Sequence, residues 1–406
     1  MMPRNSYSSL EEQPDSIAGS ESEWILPLAI TGALSFTAEG AMFMLIQLYL
    51  NELEAPPIII SLNATLVWLG VLLGSLLFGV FSDRFPRKPL LFLLLGASAL
   101  AMSVLALLLP PSGVLPLVFV RALFITGLVP ISMTIVSSMS LSYRRGRNLS
   151  YISFPRAIGM TLGTALAGFL IKTLGFKYSF LVFAFLPLLA IPVISRLSDK
   201  GRAIPRARES FAKSLKKTEL SSLYLASILT RIGALGSLSL GYVYMASLAI
   251  SEPAMGIVSA LGVGISIPGM LVFGRLADRL NRKVIFLFGF GTSMFAPLIF
   301  ASSRGIWGMA AGYLSLGISF SAYYMGSAAH IGDLVPRERQ GQMLGLLTAS
   351  MGLGGVLGPL VAGATVSPFG FHGMFWTLAG IAALGFLLVL FGNHGATSRT
   401  LETKGP

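Results

Sequence analysis

Four charged residues stand where the chain around them is otherwise apolar: Glu39, Arg121, Arg156 and Arg231. A carboxylate in such surroundings persists if it is protonated, paired with a cation or in reach of water, because a charge at the centre of a bilayer costs about 2.5–3.5 kcal/mol on insertion scales. A carboxyl that alternates between wet, dry and cation-bound surroundings loads and releases a proton. Glu39 shares one helical face with Phe36, Phe43 and Gln47, at spacings of three and four. Arg121 is the expected cation for Glu39, and proton coupling by this pair competes with a static role in fastening helices together. Arg231 has no acid in the adjacent apolar segments. A permanently charged guanidinium so placed invites an anionic ligand, held bidentately if it is a carboxylate or phosphate. Equally, it joins Arg121 on Glu39 in one cluster, and both readings stand.

Leu235, Leu238 and Tyr242 continue the face of Arg231, and Tyr313, Phe320, Tyr323 and Tyr324 recur along one later apolar segment, either lining a cavity or packing. The expected substrate-facing set is therefore Phe36, Phe43, Gln47, Arg231, Tyr242, Phe320 and Tyr323. Arg156 stands near the end of its segment, where its long stem would snorkel. His330 and Asp333 fall at a segment boundary.

The elements that must position these residues are membrane helices. The chain is 54% hydrophobic and 11% charged, against about 25% charged in a soluble domain. Its apolar runs reach the roughly twenty residues needed to cross a bilayer. Twelve can be read: 24–50, 57–81, 89–109, 115–141, 151–172 and 177–195, then 220–249, 254–274, 284–303, 305–330, 343–366 and 371–392. Residues 1–23 read as a disordered cytoplasmic tail, 24–195 and 220–392 as two bundles, 196–219 as a basic cytoplasmic linker and 393–406 as a second tail. Basic residues crowd alternate loops, which places both termini in the cytoplasm. That placement turns the formal charge of +12 away from nucleic acid and toward membrane topology. With no cysteine, disulfide and thiolate chemistry are excluded. No phosphate loop, dinucleotide fingerprint, metal-ligand spacing or nucleophile–base set occurs. Neither an enzyme nor a cofactor or metal protein is expected.

The two halves are copies. Gly79-Val-Phe-Ser-Asp83-Arg84-Phe-Pro-Arg87-Lys88 matches Gly274-Arg-Leu-Ala-Asp278-Arg279-Leu-Asn-Arg282-Lys283 at an offset of 195 residues, 274 less 79. The same offset superposes Tyr49 on Tyr244, Gly163 on Gly358 and Gly175-Phe176 on Gly370-Phe371. Two bundles of one orientation imply parallel repeats, with a solute site expected at their interface.

These features resemble the major facilitator superfamily over nearly the whole length, from Trp24 to Gly392. The family's loop signature stands twice, with Pro86 and Asn281 in place of its second glycine. The resemblance implies an all-α membrane protein of twelve transmembrane helices in two pseudo-symmetric six-helix bundles. It assigns Gly79, Asp83, Arg84, Arg87, Gly274, Asp278, Arg279 and Arg282 to a cytoplasmic gating motif, the acids either latching the bundles or merely solvated. Arg121 resembles the family's fourth-helix arginine, tied to proton movement or substrate binding. The glycines of the fifth and eleventh helices resemble its antiporter motif, with Thr164 where the proline would stand in the fifth, and close helix packing alone explains them as well. The function implied is secondary transport of a small solute by alternating access at the plasma membrane, as a monomer among lipids. Proton-coupled efflux of a drug-like molecule or metabolite is the leading expectation. The alternative is proton-coupled uptake of an organic anion on Arg231.

Overall fold

The computed structural model describes residues 14–140, 144–197, 220–279, 282–335 and 337–391, and every regular element among them is a helix. The first half comprises α1 (Pro14–Glu52), α2 (Pro57–Arg84), α3 (Arg87–Leu105), α4 (Pro111–Thr126), α5 (Leu128–Met139) and α6 (Arg145–Ser195). The second comprises α7 (Ser221–Ser239), α8 (Gly241–Ser247), α9 (Glu252–Arg279), α10 (Arg282–Ser293), α11 (Phe295–Ser302), α12 (Ile306–Leu334) and α13 (Arg337–Phe391).

Helices α6 and α13 are each two spans. Gly175 and Gly370 take left-handed, extended backbone at φ 71° and 66°, a conformation that glycine adopts without steric cost. The chain reverses there. Ile152 and Ile194, on opposite arms of α6, belong to one core cluster, whereas forty residues of straight helix would span about 60 Å. Leu346 and Val389 meet in the same way across α13.

Three spans are instead broken. The fourth divides at Gly127 into α4 and α5, the seventh at Leu240 into α7 and α8 with a bend of 42°, and the ninth at Met294 into α10 and α11. Pro130 and Pro297 lie three residues past two of these breaks, and each lacks the N–H that would continue the ladder. Joined at the breaks and divided at the turns, the described helices form twelve spans in two sets of six.

The repeat seen in sequence recurs in three dimensions. The Tyr49 hydroxyl donates to the Leu109 carbonyl at 2.9 Å, and the Tyr244 hydroxyl to the Ser303 carbonyl at 2.8 Å. Tyr49 packs on Phe176 and Phe180; Tyr244 packs on Phe371 and Phe375, each partner 195 residues further on. A Cβ added at Gly163 would stand 1.8 Å from the Thr37 carbonyl oxygen, and one at Gly358 would stand 2.7 Å from that of Ile232. Glycine thus lets α6 close on α1 and α13 close on α7, as small residues do in membranes.

Polarity is inverted relative to a soluble protein. Leu76, Leu100, Phe185, Leu271 and Trp376 are each more than half exposed, as befits side chains that meet lipid. Trp307, at the start of α12, is 85% exposed, the placement of an aromatic interface anchor. Polar side chains turn inward and spend their hydrogen bonds on their own helix, as Thr37 does on Ala33 and Ser227 on Leu223.

By contacts the described residues form two compact units, one of those up to 205 with 245–264, the other of those in 206–244 and 265–406. The stretch 245–264, placed by sequence in the second bundle, groups with the first unit. Gly168 admits the chain there so closely that a Cβ would stand 1.9 Å from the Glu252 carbonyl oxygen. Helix α1 begins at Pro14, inside the stretch expected to be a disordered tail. Residues 1–13, all but the first two of the linker, and the tail 393–406 lie outside the described residues.

Candidate functional site

In the first unit the structure brings Glu39 and Arg121 together. Glu39 lies about 22 Å along the span counted from Trp24, at about 1.5 Å per residue. Arg121 is carried by α4, which opens on Pro111 and ends at the Gly127 break. Its Nη1 bonds Glu39 Oε2, and its Nη2 bonds Oε1 at 3.3 Å, so the fork grips both carboxylate oxygens. Arg121 is 1% exposed and Glu39 16%: the cation is sealed in, while the acid keeps an open edge. Among the described residues this is the one ion pair within salt-bridge distance.

Phe36 and Phe43, on the same face of α1, are half-buried. Gln47 is fully buried, so this face closes toward its end. Arg156 comes in from α6 and places its guanidinium carbon 5.1 Å from the Phe36 ring centre. Both side chains border a small recess with Thr31, Gly32, Leu128, Ser132 and Ile152. Arg156 therefore stacks rather than simply snorkelling, and the sequence signal for this is Phe36, one turn from Glu39, which offers it a ring.

In the second unit Arg231 lies half-buried on α7 with its guanidinium carbon 5.1 Å from the Phe320 ring centre. Phe320 stacks on Tyr324 at 5.8 Å and 25°. Tyr323 is 1% exposed, edge-on to Phe290 and part of the hydrophobic core, and its hydroxyl lies near enough to Arg231 for the two groups to interact. Tyr242 is 4% exposed and stands beyond the Leu240 break, so it does not continue the face of Arg231 as an unbroken helix would have placed it. Tyr313 is buried against Phe300. His330 stacks on Phe286, and Asp333 is exposed near the end of α12.

The motif loops divide. Gly79 has open space around it and Gly274 only Met325 nearby, while Arg84 and Arg279 are exposed. The side chains of Asp83, Asp278 and Arg282 lie outside the described residues. Arg87 is 2% exposed and donates from Nη1 to Ser138 Oγ at 2.7 Å. Lys88 donates to the carbonyls of Ser195 and Leu197 at 2.5 and 3.1 Å, a cation on the carbonyl end of α6. Sequence spacing carried no sign of either contact. It gave equally little warning of His372, whose Nδ1 meets the Ala301 carbonyl at 2.6 Å. Among the described residues no group of three or more metal-ligating side chains gathers.

This arrangement, a gripped carboxylate in one apolar bundle and a stacked guanidinium in another, suits the movement of charge or solute through a membrane. The family model described as Major Facilitator Superfamily matches residues 28–245 and 220–405. The multi-drug resistance efflux pump PmrA of Streptococcus pneumoniae is 25% identical over 317 residues, 75% of this chain and 78% of its own. Multidrug resistance protein 3 of Bacillus subtilis is 31% identical over 134 residues, 30% of this chain and 24% of its own. Among solved structures, that of the nucleoside transporter NupG superposes with a TM-score of 0.76 over 90% of this chain and 98% of its own, at 15% identity, a likeness of fold. The chain belongs to the Major Facilitator Superfamily, and it is a multi-pass, all-helical membrane transporter.

Proposed function

We propose that the protein is a proton-coupled efflux carrier that works by alternating access, exchanging protons for a drug-like molecule or metabolite. The observation that carries this reading is the Glu39–Arg121 pair, with its sealed cation and an acid that keeps 16% of its side chain exposed. A proton arriving at the open edge of Glu39 neutralises the carboxylate and weakens the grip of Arg121. Loss of that proton on the other side of the membrane restores the pair. One acid that is alternately gripped and protonated supplies a two-state element whose balance a proton gradient shifts. The names of the two curated relatives favour efflux over uptake. On this reading both termini are cytoplasmic, the carrier is a lipid-embedded monomer of the plasma membrane, and Asp83 and Asp278 serve its cytoplasmic gate.

The test is transport in proteoliposomes under an imposed pH gradient, with ethidium and radiolabelled salicylate as probes. Substrate-driven proton movement opposite to the probe supports exchange; movement of both in one direction favours symport. Glu39→Gln is expected to abolish gradient-driven accumulation while leaving slow downhill exchange. Full gradient-driven transport by that variant would refute the proton assignment.

A further inference from the structure

Among the described residues Arg231 has no carboxylate to meet its charge, and the polar group that interacts with it is the neutral Tyr323 hydroxyl. Arg231 lies about 15 Å along α7 from Ser221, at about 1.5 Å per residue. Its Nε is buried and has no hydrogen-bond partner. The Phe320 ring 5.1 Å away attracts the cation but accepts none of its five N–H donors in the plane where they point. Arg121, by contrast, has a carboxylate on both of its terminal nitrogens.

The surroundings also say what shape would complete the site. Phe320 and Tyr324 lie nearly parallel and are both half-buried, so part of each ring remains open. The position equivalent to Arg231 in the first repeat is Phe36, so a guanidinium here is not something the duplicated scaffold requires.

We propose that Arg231, Phe320 and Tyr324 form a binding site for an aromatic carboxylate. The Arg231 fork takes the two carboxylate oxygens, and the Phe320–Tyr324 pair takes the ring. This names the substrate class within the transporter reading above and rests on it.

The experiment is calorimetric titration of the purified protein in detergent, with no gradient, using salicylate, its neutral analogue salicylamide, and benzylammonium. The wild type is expected to bind salicylate about tenfold or more tightly over salicylamide, the discrimination available to a charge-assisted fork, and benzylammonium weakest. Arg231→Gln is expected to erase that preference, and Arg231→Lys, a point charge without the fork, to keep part of it. Because Arg231→Gln removes a half-buried charge that has no carboxylate partner among the described residues, its ligand-free melting temperature should equal or exceed that of the wild type; a group that merely fastened helices would lower it. Phe320→Leu should weaken salicylate and leave acetate unchanged. Equal binding of salicylate and salicylamide by the wild type, or an undiminished preference in Arg231→Gln, would overturn the site. Should ethidium be carried while salicylate is neither bound nor moved, the anion site fails and the transporter reading stands. Should salicylate bind through Arg231 while Glu39→Gln still couples fully, the reverse holds.

Discussion

Phe36 and Arg231 occupy the same position in the two repeats, 195 residues apart, and each forms one half of a guanidinium–phenyl stack at 5.1 Å. In the first unit the ring belongs to α1 and the cation is brought by α6. In the second the cation belongs to α7 and the ring is brought by α12. The duplicated scaffold therefore keeps its packing while its interior charges have diverged. The tyrosine and glycine contacts repeat at the 195-residue offset. The charged groups inside the spans do not: Glu39 and Arg121 correspond to Ala234 and Leu316. Divergence concentrated at the charges is what a carrier needs, since packing maintains the fold and a few interior side chains choose the cargo.

Removing one member of the Glu39–Arg121 pair should cost more than removing both. Arg121→Met leaves a carboxylate largely out of water and is expected to lower stability by about 3 kcal/mol. The double variant Glu39→Gln with Arg121→Met should recover most of that loss. Thermal unfolding in detergent reads the difference, and simple additivity of the two single losses would contradict the pairing.

Gly163 and Gly358 hold helix pairs at contact distance. An alanine at Gly163, whose Cβ would meet backbone at 1.8 Å, must push α6 off α1 and should cost roughly 1–3 kcal/mol or more, in the range of overpacking. Gly96→Ala, on α3 with nothing within 4 Å, should be neutral or stabilise by a few tenths to about 1 kcal/mol. Yield of monodisperse protein and its melting temperature separate the two.

The turns at Gly175 and Gly370 should behave alike. Both combine a positive φ with extended ψ, a region essentially reserved to glycine, so alanine at either should cost about 1–3 kcal/mol, and nearly the same at each. A loss at one and none at the other, in parallel melting curves, would show that the two hairpins are not equivalent.

Arg87 and Ser138 should be energetically coupled. A double-mutant cycle with Arg87→Met and Ser138→Ala is expected to give about 1.5–3 kcal/mol, the range for a hydrogen bond to a charged group. A coupling near zero would mean that Arg87 is held by the bulk of its stem alone.

Twelve spans, two repeats and the pairing of Glu39 with Arg121 were legible because each rests on composition, offset or the scarcity of intramembrane charge. The breaks at Leu240 and Met294 were not, because a continuous apolar run reads the same whether or not the backbone ladder holds. That is why Tyr242 was assigned to the face of Arg231. The depth of Tyr323 is hidden for a related reason: periodicity places it near Phe320, and only packing decides that its ring turns into the core while Phe320 and Tyr324 stay half open. The inward turn of Arg87 was hidden because a basic loop residue satisfies the rule for topology whether it is solvated or buried.

The most direct test of the proposed coupling is the number of protons moved per probe molecule in proteoliposomes, followed with a trapped pH-sensitive dye for the wild type and for Glu39→Gln. The account predicts a fixed stoichiometry for the wild type and none for the variant, with probe binding retained in both. Proton movement by Glu39→Gln at the wild-type ratio would contradict it.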